Sequence, residues 1–162
     1  MQSRISTSVA GSGKTTVGRL LATRLGYEFH DGDDLHSTRN REKMSRGIAL
    51  TDEDRSPWLH AIRDLIERCL AENRSAVIAC SALKQKYRDL LLIDDAKVKI
   101  VYLKGSQAMI ARRLVRRAGH FFDPHLLNSQ FETLEEQADG IVVNIAAAPE
   151  KIADTIRARL AP

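Results

Sequence analysis

Along the chain the hydrophobic period switches back and forth between that of a strand and that of a helix. Residues 5–9 form a short strand candidate that runs into a Gly-rich turn. Val17, Leu20, Leu21 and Leu25 then recur at helical spacing, and Gly26 supplies a stop. Residues 27–30 predict a second strand, ending in Asp31-Gly32-Asp33-Asp34. The polar stretch 36–47 predicts partial helix. Ser56-Pro57 has the form of an N-cap followed by proline at the first helical position, and Trp58, Ile62, Leu65 and Cys69 continue that helix on one face. Ala76–Cys80 is an unbroken apolar run, as in a strand buried on both faces. Helix 83–92, strand 98–103, helix 107–117, a loop over 119–124, a short helix near 125–134, strand 141–145 and helix 150–160 complete the reading.

Alternating β and α elements imply an α/β fold, a parallel sheet with helices on both faces. Ligands of such folds bind beyond the carboxyl ends of the strands. The turns at 8–15, 31–36, 80–84 and 144–149 all fall at that end. With 162 residues, the chain reads as a single domain over 1–162 that buries its own core.

Composition narrows the function classes. Two cysteines, Cys69 and Cys80, suit buried small hydrophobes of a reduced, cytoplasmic protein better than a disulfide framework. No apolar run approaches the ~18 residues of a membrane span. The net charge of +4 comes from scattered basic residues, apart from Arg112, Arg113, Arg116 and Arg117. Aromatics make up 5% of the chain, too few for a stacking platform, so nucleic acid is not the expected partner. A mild positive excess suits an anionic small substrate.

The densest chemistry lies in Ser8-Val9-Ala10-Gly11-Ser12-Gly13-Lys14-Thr15, a Walker A sequence with Ser8 where the pattern has its first glycine. Such a loop offers backbone N–H groups to phosphates at a helix N-terminus. Gly11, Ser12, Gly13, Lys14, Thr15 and Thr16 are the expected ATP contacts. Lys14 would reach the β- and γ-phosphates, and the Thr15 hydroxyl would hold Mg²⁺. Asp31 and Asp33, one residue apart at a strand end, can divide two roles: one serves the metal shell, the other accepts the proton of an attacking hydroxyl. Arg113 and Arg117 share a helix face at i, i+4 and precede Gly119-His120-Phe121-Phe122, a loop able to close over a site. Arg113 is assigned to the nucleotide and Arg117 to charge on the transferring group.

These pieces, with Asp31-Gly32-Asp33-Asp34-Leu35-His36, Glu42-Lys43-Met44, Leu50-Thr51-Asp52-Glu53-Asp54-Arg55, Pro57-Trp58-Leu59, Ala79-Cys80-Ser81-Ala82-Leu83-Lys84, Tyr87-Arg88-Asp89 and Gln130-Phe131-Glu132-Thr133-Leu134-Glu135, resemble the gluconokinase family, relatives of shikimate kinase. The resemblance runs from Gly11 to about Glu135. It implies a three-layer P-loop kinase fold, with a five-stranded sheet ordered 2-3-1-4-5 and a mobile lid around 118–126. It also implies transfer of the ATP γ-phosphate to the 6-hydroxyl of D-gluconate, and often a homodimer. Asp33 would sit nearest the acceptor hydroxyl and Asp31 nearer Mg²⁺. Arg55, Lys84 and Arg88 become candidates for the gluconate carboxylate, with His36 donating to a hydroxyl and His120 joining the acceptor set. Two alternatives stand beside this reading: a kinase for another hydroxyl acceptor such as shikimate, and a nucleotide-binding switch without transfer activity.

Overall fold

The structure, a computed structural model, describes residues 3–7, 12–116, 124–137 and 140–161. Five strands, β1 (Ser3–Thr7), β2 (Glu28–Asp31), β3 (Ala76–Cys80), β4 (Val98–Lys104) and β5 (Ile141–Asn144), form one sheet in the order β2-β3-β1-β4-β5. All four pairings are parallel. In register, Asp31 lies beside Ala79 and Thr7 beside Cys80, so the carboxyl ends of β2, β3 and β1 are nearly level. This aligned rim carries the site.

Helices α1 (Lys14–Leu25), α2 (Thr38–Ser45), α3 (Asp52–Ala71), α4 (Gln85–Leu91), α5 (Gln107–Arg116), α6 (Pro124–Thr133) and α7 (Pro149–Leu160) are interleaved with the strands. Every residue of β3 is buried, and its side chains divide by alternation. Val77 joins a core with Val17 and Leu21 of α1 and Ile152 and Ile156 of α7. Ala76, Ile78 and Cys80 join a second core with Trp58, Ile62 and Ile66 of α3. The two cores lie on opposite faces of the sheet, and each fixes one set of helix starts relative to the rim. Both cysteines are free and buried, and burial raises both thiols. No helix among the described residues is long and apolar enough to cross a membrane.

Most element boundaries fall within two residues of the sequence reading, and three features near the site differ from it. The first strand is Ser3–Thr7, earlier than 5–9, and residues 8–11 lie outside the described set. Residues Gly32–Leu35 form a single 3-10 turn ahead of α2. Helix α3 starts at Asp52 rather than after Ser56, which places Pro57 inside it. The reason is a capping box: Thr51 Oγ1 accepts from the Asp54 N–H (3.1 Å), and Asp54 Oδ2 accepts from the Thr51 N–H (3.0 Å). With two donors satisfied there and three acids in its first turn, the helix starts a turn and a half ahead of its proline. Pro57 then leaves only the Glu53 carbonyl without its intrahelical partner.

Candidate functional site

Four of the side chains singled out in the sequence line one pocket at the sheet rim: Lys14, Asp33, His36 and Arg55. Each comes from a different local device. Lys14 opens α1 behind Gly13, whose φ of 93° lies in the left-handed region. That backbone turn strains any residue with a Cβ. Among the described residues no side chain caps the start of α1, and a helix N-terminus of this kind favours an anion. Lys14 itself is nearly buried. Among the described residues the enclosed hydroxyl of Ser12 has no hydrogen-bond partner, which suits a loop built to contact phosphate. Thr16 is exposed on the same helix turn.

Asp31 and Asp33 straddle a residue that can only be glycine. A Cβ on Gly32 would stand 2.6 Å from the Ala79 carbonyl oxygen and 3.2 Å from Ile62 Cδ1. On its other side the Gly32 carbonyl accepts from Trp58 Nε1–H at 2.7 Å. The backbone between the two acids is therefore clamped between β3 and α3. Asp31 uses one oxygen to accept from the Asp33 N–H (3.0 Å) and the other to accept from Thr15 Oγ1 (2.9 Å). The Asp33 carboxylate is exposed into the pocket.

The Thr15–Asp31 pair tests whether the site suits Mg²⁺. Among the described residues there is no cluster of three or more His, Cys, Asp or Glu that could cage a metal. One hydroxyl and one carboxylate oxygen side by side are instead what a magnesium ion held mainly by phosphate and water requires. The residues fit.

His36 is buried and stacks on the Trp58 indole, with ring centroids 4.3 Å apart and an interplanar angle of 13°. Its backbone carbonyl accepts from Arg41 Nε (3.3 Å), and Arg41 also reaches the Asp34 carbonyl (2.8 Å). Burial, aided by Arg55 and Arg41 and opposed by Asp33, pushes the imidazole from its ordinary 6.5 down to about 4. The unfolded chain thus binds a proton near pH 6.5 that the folded chain refuses until about pH 4. Stability should fall by up to roughly 3 kcal/mol as the pH drops through this window and stay flat above it. Urea unfolding midpoints across that range, in the protein and in His36→Gln, check this. The carboxylate of Asp54, held near 2 by Lys43 and the Thr51 N–H, acts only at lower pH, so an unchanged slope in His36→Gln would refute the assignment.

Arg55, in the second turn of α3, is buried and lines the same pocket. Among the described residues its guanidinium makes one hydrogen bond, donated to Tyr87 Oη (3.3 Å). None of its remaining donors is enclosed without a partner, so they open onto the pocket. Tyr87 in turn donates to Asp52 Oδ1, which also accepts from Lys84 at 3.0 Å. Lys86 binds the other oxygen of Asp52 at 2.6 Å. This ring of donors holds the Asp52 carboxyl far below its usual range.

Two expected acceptor ligands are placed elsewhere. Lys84 does not line the pocket, and its ammonium is engaged by both oxygens of Asp52 (3.0 and 3.2 Å). Arg88 is buried and donates to the carbonyls of Ala82 (3.0 Å), Leu83 (3.1 Å) and Glu135 (2.7 Å), and to Gln85 Oε1 (3.1 Å). Its planar fork straps the β3–α4 loop to the segment after α6, reinforced by Glu135 N–H to the Leu83 carbonyl (2.8 Å). The sequence shows a charge in the right motif, but not that backbone carbonyls consume it. Arg88→Ala should cost about 2–4 kcal/mol of stability by orphaning buried carbonyls, with little change in acceptor KM. Thermal unfolding with matched kinetics decides this: a large KM rise at full stability would return Arg88 to the acceptor site.

Arg113 donates from Nη2 to the Ile145 carbonyl, against the turn after β5 where Asn144 Oδ1 accepts from the Ala146 N–H (2.8 Å). Gly11, Arg117 and His120 lie outside the described residues, as does most of the segment 118–126. Residues 124–126 begin α6, whose Leu126, Ser129 and Gln130 form the far wall of the pocket. Sequence reasoning missed Trp58 as a site residue, and missed Asn40, Ser81 and this α6 wall. The Trp58 signal was there, since an indole N–H on an otherwise apolar face needs an acceptor. The α6 residues carried no such signal.

Residues 10–161 match the family described as Shikimate kinase. A probable gluconokinase of Mus musculus is 47% identical over 144 residues, spanning 78% of this chain and 78% of its own. The gluconokinase of Gluconobacter oxydans (strain 621H) is 46% identical, spanning 91% of this chain and 83% of its own. The crystal structure of a gluconokinase from Sinorhizobium meliloti 1021 superposes with a TM-score of 0.88 at 40% identity, covering 98% of this chain and 91% of that one.

Proposed function

The chain belongs to the gluconokinase family, within the shikimate kinase group of P-loop kinases, and on that premise we propose that it transfers the γ-phosphate of ATP to the 6-hydroxyl of D-gluconate. The observation that carries the reading is the convergence of Lys14, Asp33, His36 and Arg55 on one pocket. It holds a phosphate-side cation, a base, a neutral donor and an acceptor-side cation. Bound ATP supplies the phosphoryl group, and Mg²⁺, on Thr15 and Asp31, offsets the charge of its phosphates.

The chain's own residues then divide the remaining work. Lys14 stabilises negative charge on the transferring group. Asp33 orients the acceptor hydroxyl and takes its proton as the new O–P bond forms and the bond to ADP breaks. Arg55 offers its unpaired N–H donors to the gluconate carboxylate, and His36 donates to an oxygen of the same molecule. The segment 118–126 acts as a lid bringing Arg117 and His120 to the site, with Arg113 supporting the nucleotide side, and closure excludes water. The whole chain works as one P-loop kinase domain.

The test is ADP release from Mg-ATP with D-gluconate, shikimate, AMP or no acceptor. ADP formed only with gluconate supports the reading. Equal slow release in every reaction rejects it in favour of a nucleotide switch, and release only with shikimate moves the acceptor.

A further inference from the structure

The Asn40 side chain makes two contacts from one nitrogen. Nδ2 donates to the Asp54 carbonyl at 2.8 Å and lies 3.3 Å from His36 Nδ1. A backbone carbonyl can only accept, so the atom facing it must be the NH₂ group of the amide. The second hydrogen of that group then points at His36 Nδ1, which must accept it with a lone pair. Asn40 is buried, its own N–H is tied to Ser37 Oγ (3.1 Å), and the amide has no room to turn over without setting oxygen against oxygen. From this geometry we infer that Asn40 is a positioning residue that fixes His36 as the Nε2–H tautomer, so that the acceptor pocket presents a neutral N–H donor to an oxygen of the substrate.

The rest of the surroundings agree. Nε2 has no hydrogen-bond partner among the described residues and is not enclosed, while His36 lines the pocket, so the donor is turned to the acceptor. Trp58 fixes the ring plane by stacking, and Asn40 fixes which edge carries the proton. The charged groups facing the ring are Asp33 from the 3-10 turn, Arg41 from α2 and Arg55 from α3, with Lys14 in the same pocket. The two arginines and burial outweigh Asp33, so the ring stays neutral through ordinary working pH. A neutral donor binds a hydroxyl without carrying an unpaired charge, which leaves Arg55 as the element that reads the carboxylate.

This inference deepens the gluconokinase reading and rests on it for the identity of the substrate, but its first test does not. In the unliganded protein, ¹⁵N-edited NMR of His36 should show a protonated Nε2 and an unprotonated Nδ1, unchanged from about pH 5.5 to 8. A protonated Nδ1, or titration inside that range, overturns the assignment whatever the acceptor turns out to be. The second test uses Asn40→Asp, nearly the same size, which also sets an oxygen against the Asp54 carbonyl and so should lower stability. Its carboxylate accepts from Nδ1–H and reverses the neutral tautomer, so the gluconate KM should rise roughly tenfold or more near neutral pH while the ATP KM holds. Protonation of the ring restores Nε2–H, so acidification should recover the gluconate KM in Asn40→Asp but leave it flat in the unaltered protein. A KM raised equally at every pH, or for both substrates, means that Asn40 only supports the fold. Should Asn40→Asp fail to fold, the tautomer measured in the unaltered protein still decides the inference.

Discussion

Asp33→Asn should lower kcat by about 10²–10⁴-fold while leaving the KM for ATP nearly unchanged. The amide keeps the shape of the carboxylate and can still lie against the acceptor, but it cannot take a proton. The backbone on either side should not respond, because the clamp on Gly32 comes from Ala79 and Trp58 and not from the Asp33 side chain. The Asp33 N–H still reaches Asp31, so the Thr15–Asp31 pair also stays in place. A pure rate effect is therefore expected. Lys14→Ala should lose a comparable factor in kcat/KM and also weaken ATP, because that cation meets the phosphates in the ground state too. Initial rates over a matrix of ATP and gluconate concentrations separate the two signatures. Full activity in Asp33→Asn would remove the base from the mechanism.

The second large effect concerns the acceptor. Arg55→Ala should raise the gluconate KM roughly 10- to 100-fold, the value of charge-assisted hydrogen bonds lost from a buried site. ATP should bind as before, since Arg55 stands on the α3 side of the pocket and Lys14 on the α1 side. Tyr87→Phe should move the same constant by less: it removes the contact that orients the guanidinium and leaves the guanidinium itself. Equal increases in both Michaelis constants would sink the carboxylate role of Arg55. The contrast with Arg88→Ala, expected to act on stability alone, makes the pair informative.

Much of this architecture was legible in the sequence because its signals are local. A strand, a glycine turn, a lysine and an amphipathic helix announce a phosphate loop within a dozen residues. The all-apolar Ala76–Cys80 gives away a strand buried on both faces. The acids of Asp31-Gly32-Asp33 were placed correctly at a strand end, because strand ends and turn residues are adjacent in sequence. What escaped depends on partners distant in the chain. Arg55, Lys84 and Arg88 are all cations in motif positions, and nothing local separates one facing a pocket from one paired with Asp52 or one strapping carbonyls at Leu83 and Glu135. The start of α3 was misread for a different reason. Both Thr51-x-x-Asp54 and Ser56-Pro57 are valid helix openings, and the capping box prevailed by satisfying two donors where a proline merely spares one.

The chemistry and the choice of acceptor stand on different parts of the chain. Lys14, Thr15, Asp31 and Asp33 sit at the strand rim, where Gly32 tolerates no added atom. The walls of the pocket proposed for the acceptor come from α2, α3 and α6, through Met44, Arg55, Leu126 and Ser129. Substitutions in those walls can accumulate without disturbing the rim, so a lineage could explore new sugar acids while its phosphoryl-transfer step stays intact. The same partition tells an engineer where to randomise: at 44, 126 and 129, with 31–33 left alone.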